Sequence, residues 1–414
     1  MEVLSLIFTV IKATWWFATP IILFFIWKKS WLYRRQGVYF GSLKFCLLEI
    51  RLPPDVLKTP KAMEYALVGL HGVWDELKFR DIWVKGEFLP IFSLEIAGSG
   101  GDIHFYIHTE RKFRDLVEAQ IYSQYPDAEI QEVADYTESV PPNLPNKDWD
   151  VWGTDLTLTK DSAYPLRTYV DFEEQVEERR LDPVASIAET LNKLRPGEHI
   201  WIQILITPDK DLAKLRKEGD AVVAKMLGRK EESKKDLAKV VSESILSQVT
   251  LKGEEEKKED PFLATEWRLS PGEREILKKV DEKSSKVFFD TLMRFVYIGR
   301  KDVFSKTNVP SLFGYFRQFN TYNLNSIKPN SKTLPKRSFI YFKKIRSHFR
   351  KLRIIQRYKL RLPLQGDITP MYLLNVEELA TIFHFPGQIV KAPIMPRVET
   401  RKAPAPAGLP IEEF

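Results

Sequence analysis

The sequence predicts an α+β protein: an N-terminal transmembrane helix, two ferredoxin-like (βαββαβ) units, a charged helical insert and an extended C-terminal tail. Three observations carry this expectation. An apolar run from Val3 to Trp27, interrupted only by Lys12, ends in Lys28, Lys29, Arg34 and Arg35. Between Phe45 and Val133 the pattern reads strand, helix, strand, strand, helix, strand, and it recurs with insertions after a loop rich in Pro and Asn. From Lys391 onward the chain is Pro-rich, with Ala and charge, as tails and linkers are.

At helical rise the Val3–Trp27 run covers roughly 37 Å, more than a ~30 Å hydrocarbon core. Lys12 can snorkel to the nearer interface. Trp15 and Trp16 would lie deep, and Trp27 and Trp31 would join the interfacial aromatic belt. A secretory signal peptide fits poorly, because the run is too long and no small-residue cleavage site follows. The cations lie C-terminal to the run, so the positive-inside rule predicts a single-pass protein of the inner (cytoplasmic) membrane. Its N-terminus would be outside and its body cytoplasmic. Residues 1–35 are thus read as the anchor with its basic flank.

The first unit, 44–139, opens with a strand at Phe45–Leu52, closed by Pro53 and Pro54. A helix follows from Thr59-Pro60, with Pro suited to the first turn, to about Gly72. Strands at Leu89–Ala97 and Ile103–Thr109 flank the hairpin turn at Gly98–Asp102. A helix at Arg111–Tyr125 and a strand at Ala128–Val133 complete it. The second unit, 149–324, has expected strands at Val151–Thr159, Leu166–Phe172, His199–Ile206 and Val287–Gly299. Its helices are expected at Pro183–Leu194, Pro271–Ser285 and Val309–Tyr322. The insert, 209–260, alternates in sign and keeps an apolar stripe, Leu212, Leu215, Val222, Val223, Met226 and Leu227, for packing or self-association into a homo-oligomer. Residues 325–390 form a basic stretch and a following segment, and 391–414 the tail.

Chemistry is thin. The single Cys46 excludes an internal disulfide and a cysteine zinc cluster. No Gly-x-x-x-x-Gly-Lys-Ser/Thr motif occurs, and the glycines at 98, 100 and 101 lead into a strand, where they cannot cradle phosphate. His104 and His108, four apart in a strand, stand roughly 13 Å from each other, too far to share a metal. No nucleophile elbow is visible. The chain reads as a non-enzyme with no catalytic residue, no cofactor and no metal.

Charge is more informative. The net charge is +7, yet no Asp or Glu occurs between Val303 and Gly366. There the cations Lys336, Arg337, Lys343, Lys344, Arg346, Arg350, Lys351, Arg353 and Arg357 interleave with Phe342, Phe349 and Tyr358, on a basic helix or extended arm at Lys343–Lys359. Cations neutralise phosphates and release counterions, and aromatic faces stack unpaired bases. Nucleic acid such as DNA, anionic lipid at a membrane surface, and an acidic protein partner are the three readings of this stretch.

One segment carries a resemblance. Met371-Tyr-Leu-Leu-Asn-Val-Glu-Glu-Leu-Ala-Thr-Ile-Phe-His-Phe-Pro386, followed by a tail ending Ala407-Gly408-Leu409-Pro410, resembles the stretch preceding the motor domain in membrane-anchored coupling ATPases of conjugative type IV secretion systems. The region from Leu48 to Pro208, with Pro53-Pro54-Asp55-Val56, His71-Gly72-Val73-Trp74-Asp75 and Pro141-Pro142-Asn143-Leu144-Pro145, resembles the N-terminal module of such proteins from poorly characterised bacteria. The motor's P-loop is missing, so no catalytic residue carries over. The resemblance implies a membrane-anchored adaptor, or the N-terminal part of a DNA-translocation motor, partnered by a P-loop translocation ATPase encoded separately or downstream. The alternative is a tethered scaffold or assembly protein whose basic segment contacts anionic lipid.

Overall fold

Apolar, β-branched and aromatic residues concentrate in stretches that all join one nine-stranded antiparallel sheet. The computed structural model describes residues 2–53, 58–172, 182–209, 217–219, 221–222, 270–335, 342–363 and 369–386. The strands are β1 (Phe45–Arg51), β2 (Phe92–Ser99), β3 (Asp102–Glu110), β4 (Glu129–Val133), β5 (Trp149–Leu158), β6 (Glu198–Asp209), β7 (Phe288–Arg300), β8 (Ile327–Pro329) and β9 (Tyr372–Asn375). Their order is β4-β1-β3-β2-β6-β7-β5-β8, with β9 on β7. The order β4-β1-β3-β2 reappears from the opposite end as β8-β5-β7-β6, so the halves are related by a pseudo-twofold across the β2–β6 junction. That junction is fully paired, from Phe92 opposite Ile206 to Ser99 opposite His199.

This corrects the expected anchor and the expected division into two units: each half keeps the strand-helix-strand-strand-helix-strand order, but the two join edge to edge. One sheet and one principal core run through both halves. The expected strand at Leu166–Phe172 is not formed; a short 3₁₀ turn, Tyr169–Asp171, stands there. The stretch after Asn323 supplies β8, a long helix where a basic helix or extended arm was expected, β9 and a final short helix. The tail, and all but a few residues of the charged insert, lie outside the described residues.

The anchor is also corrected, and with it the single-pass topology and the inner-membrane location. Among the described residues no helix is long and apolar enough to cross a membrane. Helix α1 (Glu2–Ser42) does not stop at the cations but runs through them to Ser42, with Pro20 inside it. The cations dock on protein. Lys28 lies 4.8 Å over the Trp83 ring, Trp31 donates to the Trp83 carbonyl at 2.9 Å, and Arg35 donates to the Val84 carbonyl. Gly86, at φ 79, closes the Asp81–Lys85 turn so tightly against Arg35 that any Cβ there would overlap its backbone.

Alternation along the strands divides the core between two faces. One face packs against helices α2 (Pro60–His71), α3 (Arg114–Gln124), α4 (Ala185–Asn192), α6 (Asn308–Arg317) and α8 (Val376–Ile382). Helix α5 (Pro271–Ser284), opened by a Ser270/Glu273 capping box, leads into β7. On the other face Leu47, Tyr106, Val151, Trp201 and Val296 are covered by the Tyr136–Leu144 loop and by helix α7 (Lys343–Leu360).

Candidate nucleic-acid interface

Helix α7 is the basic stretch of the sequence, folded as a helix. Ile354, Ile355 and Tyr358, spaced one and four apart, form its buried side and meet Val140, Leu144, Val151, Trp201 and Val296. Each buried aliphatic side chain contributes about 1.5–3 kcal/mol. Arg346, Arg350, Arg353 and Arg357, at i, i+4, i+7 and i+11, align on another side. Like charges at this spacing cost a helix a few tenths of a kcal/mol per pair, so stability does not account for the stripe. The helix N-terminus adds its own positive end to Lys344 and Arg346 instead of being offset by an acid.

The stripe lines one wall of a cleft of about 510 Å³, and Lys332 and Thr333 of the segment after β8 line the other. Five cations line the cleft, Lys332, Arg346, Arg350, Arg353 and Arg357, beside Phe349 and Ile354. Two of them are fixed: Arg350 donates to the Leu334 carbonyl at 2.7 Å and Arg357 to Asp155 at 3.2 Å. Thr333 is fixed as well, accepting from the Asp155 amide at 3.1 Å. The remaining cations make no ion pair among the described residues. Such a site binds anions by preorganised, hydrogen-bonding charge.

Beneath α7 a polar row crosses the sheet. In register, residue opposite residue, stand Gln131, Glu49, Tyr106, Glu95, Gln203, Arg294 and Asp155, all on the face that α7 covers. Glu95 is fully buried and accepts from Ser93 (2.6 Å), Gln203 (2.8 Å), Tyr136 (2.8 Å) and Arg361 (2.8 and 3.1 Å). Burial opposes its ionisation, but the Arg361 charge and hydrogen bonds outweigh that and keep its carboxyl below the usual range. Asp135 behaves alike: burial is overcome by Arg361 and the carboxyl is held at about 2. Arg361 itself follows the last turn of α7 in a left-handed conformation, φ 51, which a non-glycine residue adopts at a cost of about 1–3 kcal/mol. Its guanidinium thus anchors the end of the helix to the sheet. Asp155, also fully buried, ties in the last turn of α7 through Arg357, with Arg294 at 3.4 Å and the Thr369 hydroxyl at 2.8 Å.

The site residues expected from sequence divide clearly. Lys344, Arg346 and Arg353 are exposed, and Arg350 and Arg357 line the cleft. Lys351 is turned away to pair with Asp150. Phe342 and Phe349 are 73% and 51% exposed. Tyr358 is corrected: it is fully buried, its hydroxyl 2.7 Å from that of Tyr136, and it offers no stacking face. Lys336 and Arg337 lie outside the described residues, as does the side chain of Lys343. Sequence reasoning missed Lys332 and Thr333 as the second wall, and it missed the polar row. A visible signal was the single charged residue inside otherwise apolar strands, such as Glu95 in Leu94–Ala97 and Arg294 in Leu292–Val296. No group of His, Cys, Asp and Glu able to hold a metal occurs among the described residues.

The Met371–Pro386 segment is built into this core. Leu373 and Leu374 lie in β9 against β7, and Asn375 and Glu378 form a capping box on α8. Glu378 is buried with Lys283 at 2.9 Å, and His384 contacts Asp182 at 3.0 Å. Residues 48–392 match the family described as Domain of unknown function (DUF8128), and the chain belongs to that family. No curated protein matches the chain. Neither finding links it to type IV secretion or conjugation.

Proposed function

We propose, for this member of the DUF8128 family, a non-catalytic role as a nucleic-acid-contacting module that holds phosphates along α7. The observation that supports it most is the Arg346, Arg350, Arg353 and Arg357 stripe facing Lys332 across one cleft. At the inner end of that cleft Arg357 pairs with Asp155 at 3.2 Å. Phosphate neutralisation by these side chains requires no base-specific contact, so binding is salt-dependent and tolerant of sequence.

The test is binding of the full chain to labelled DNA of unrelated sequences across a salt series. The expected result is similar affinity for all sequences and a steep loss with salt. In the triple variant Arg346→Gln, Arg350→Gln, Arg353→Gln, the slope of log affinity against log salt should fall by about one per cation removed. These three side chains lie outside the core, so the variant is expected to melt like the parent. Absence of DNA binding at about 0.1 M salt, with sedimentation on phosphatidylserine vesicles through the same arginines, would assign the surface to anionic lipid instead.

A further inference from the structure

We infer that the α7 cleft prefers single-stranded nucleic acid to the duplex; this rests on the phosphate-binding reading above and goes one step beyond it. To read duplex DNA a helix must project from its domain far enough to enter the major groove, about 12 Å wide, with no wall beside its base-contacting side. Helix α7 is not free. Ile354, Ile355 and Tyr358 lie against the sheet, and Lys332 and Thr333 stand beside the arginine stripe as a wall. Arg350 and Arg357 therefore sit inside the recess, and a rod-like duplex meets chiefly the exposed Arg346 and Arg353 at its rim. The recess, at about 510 Å³, falls in the size range of pockets that enclose a small ligand.

Its lining suits an unpaired strand. Phe349 stands among Arg346, Arg350 and Arg353 with half of its surface open, so phosphates and one base can be held together. Arg350 and Arg357 are already oriented by Leu334 and Asp155, which lowers the ordering cost of gripping a flexible strand. From Arg346 to Arg357 the stripe spans about 16 Å at helical rise, a footprint of a few nucleotides, at the short end for single-strand sites. Base stacking on one aromatic ring corresponds to roughly a tenfold gain in affinity.

The experiment compares a labelled oligothymidylate with a duplex of equal phosphate number on the full chain and on Phe349→Ala and Lys332→Gln. Single strand is expected to bind roughly tenfold tighter at about 0.1 M salt. Phe349→Ala should erase most of that preference without changing the salt slope. Lys332→Gln, on the opposite wall, should lower the single-strand slope by about 0.7. Both side chains are off the core, and thermal melting checks that each variant is folded. Equal affinity for both forms, or Phe349→Ala weakening both alike, overturns the single-strand assignment and leaves the phosphate-binding reading standing. No binding to either form overturns both.

Discussion

His108 shows how a single residue ties folding to pH. It faces the covered side of the sheet, stacked on Phe45 at 5.0 Å between ring centres. Burial first, and the Arg361 charge second, disfavour its imidazolium and push its pKa down to about 4 from the usual 6.5. Between those values the unfolded chain takes up a proton that the folded chain refuses. Stability from this residue is therefore complete above pH 6.5 and is lost as pH falls toward 4. Asp135, held at about 2, adds its own loss only below the usual carboxylate range near 3.8. Urea unfolding across pH 7 to 4 should show a steady decline that His108→Gln flattens. A variant declining as steeply as the parent would remove His108 from this role.

At the scale of the element, α7 is held by both grease and charge. Its apolar side is narrow, and Arg357 and Arg361 descend to Asp155 and Glu95 of the polar row. Removing one partner of a buried pair leaves the other charge unsolvated, typically at about 3–5 kcal/mol. Arg361→Gln strands both Glu95 and Asp135, so unfolding free energy should fall by roughly that amount. A loss under about 1 kcal/mol would mean the clamp is dispensable. The cleft depends on the same clamp, because the outward stripe is aimed by the inward residues. Much of this element was legible beforehand: the acid-free composition located the cations, and the 3.6-residue period aligns four of them. The assignment of Tyr358 to stacking failed because polarity and periodicity do not say which side of an isolated helix meets the sheet.

Across the whole molecule the two halves share hydrogen bonds that no boundary divides. Glu95 of β2 accepts from Gln203 of β6, the Ser99 hydroxyl of β2 meets the His199 ring of β6 at 2.9 Å, and β2 pairs with β6 along its length. Calorimetry of residues 44–390 should therefore give one cooperative transition with equal calorimetric and van't Hoff enthalpies. Two resolved transitions would show that the halves fold separately.

Local pattern alone defined most strands and helices, since alternation and helical period are properties of neighbours along the chain. It also exposed the cation-rich stretch and the lack of a P-loop. It misjudged Leu166–Phe172, whose apolar alternation resembles a strand but which finds no sheet edge to pair with. It misjudged α1, which runs on through the cations to Ser42 and rests there on the Asp81–Lys85 turn, a contact that hydropathy does not report. The joining of two halves into one sheet, the seven-residue polar row and the second wall at Lys332 were beyond its reach. Each depends on register between strands far apart in sequence, and a one-residue slip would turn every one of those side chains to the opposite face.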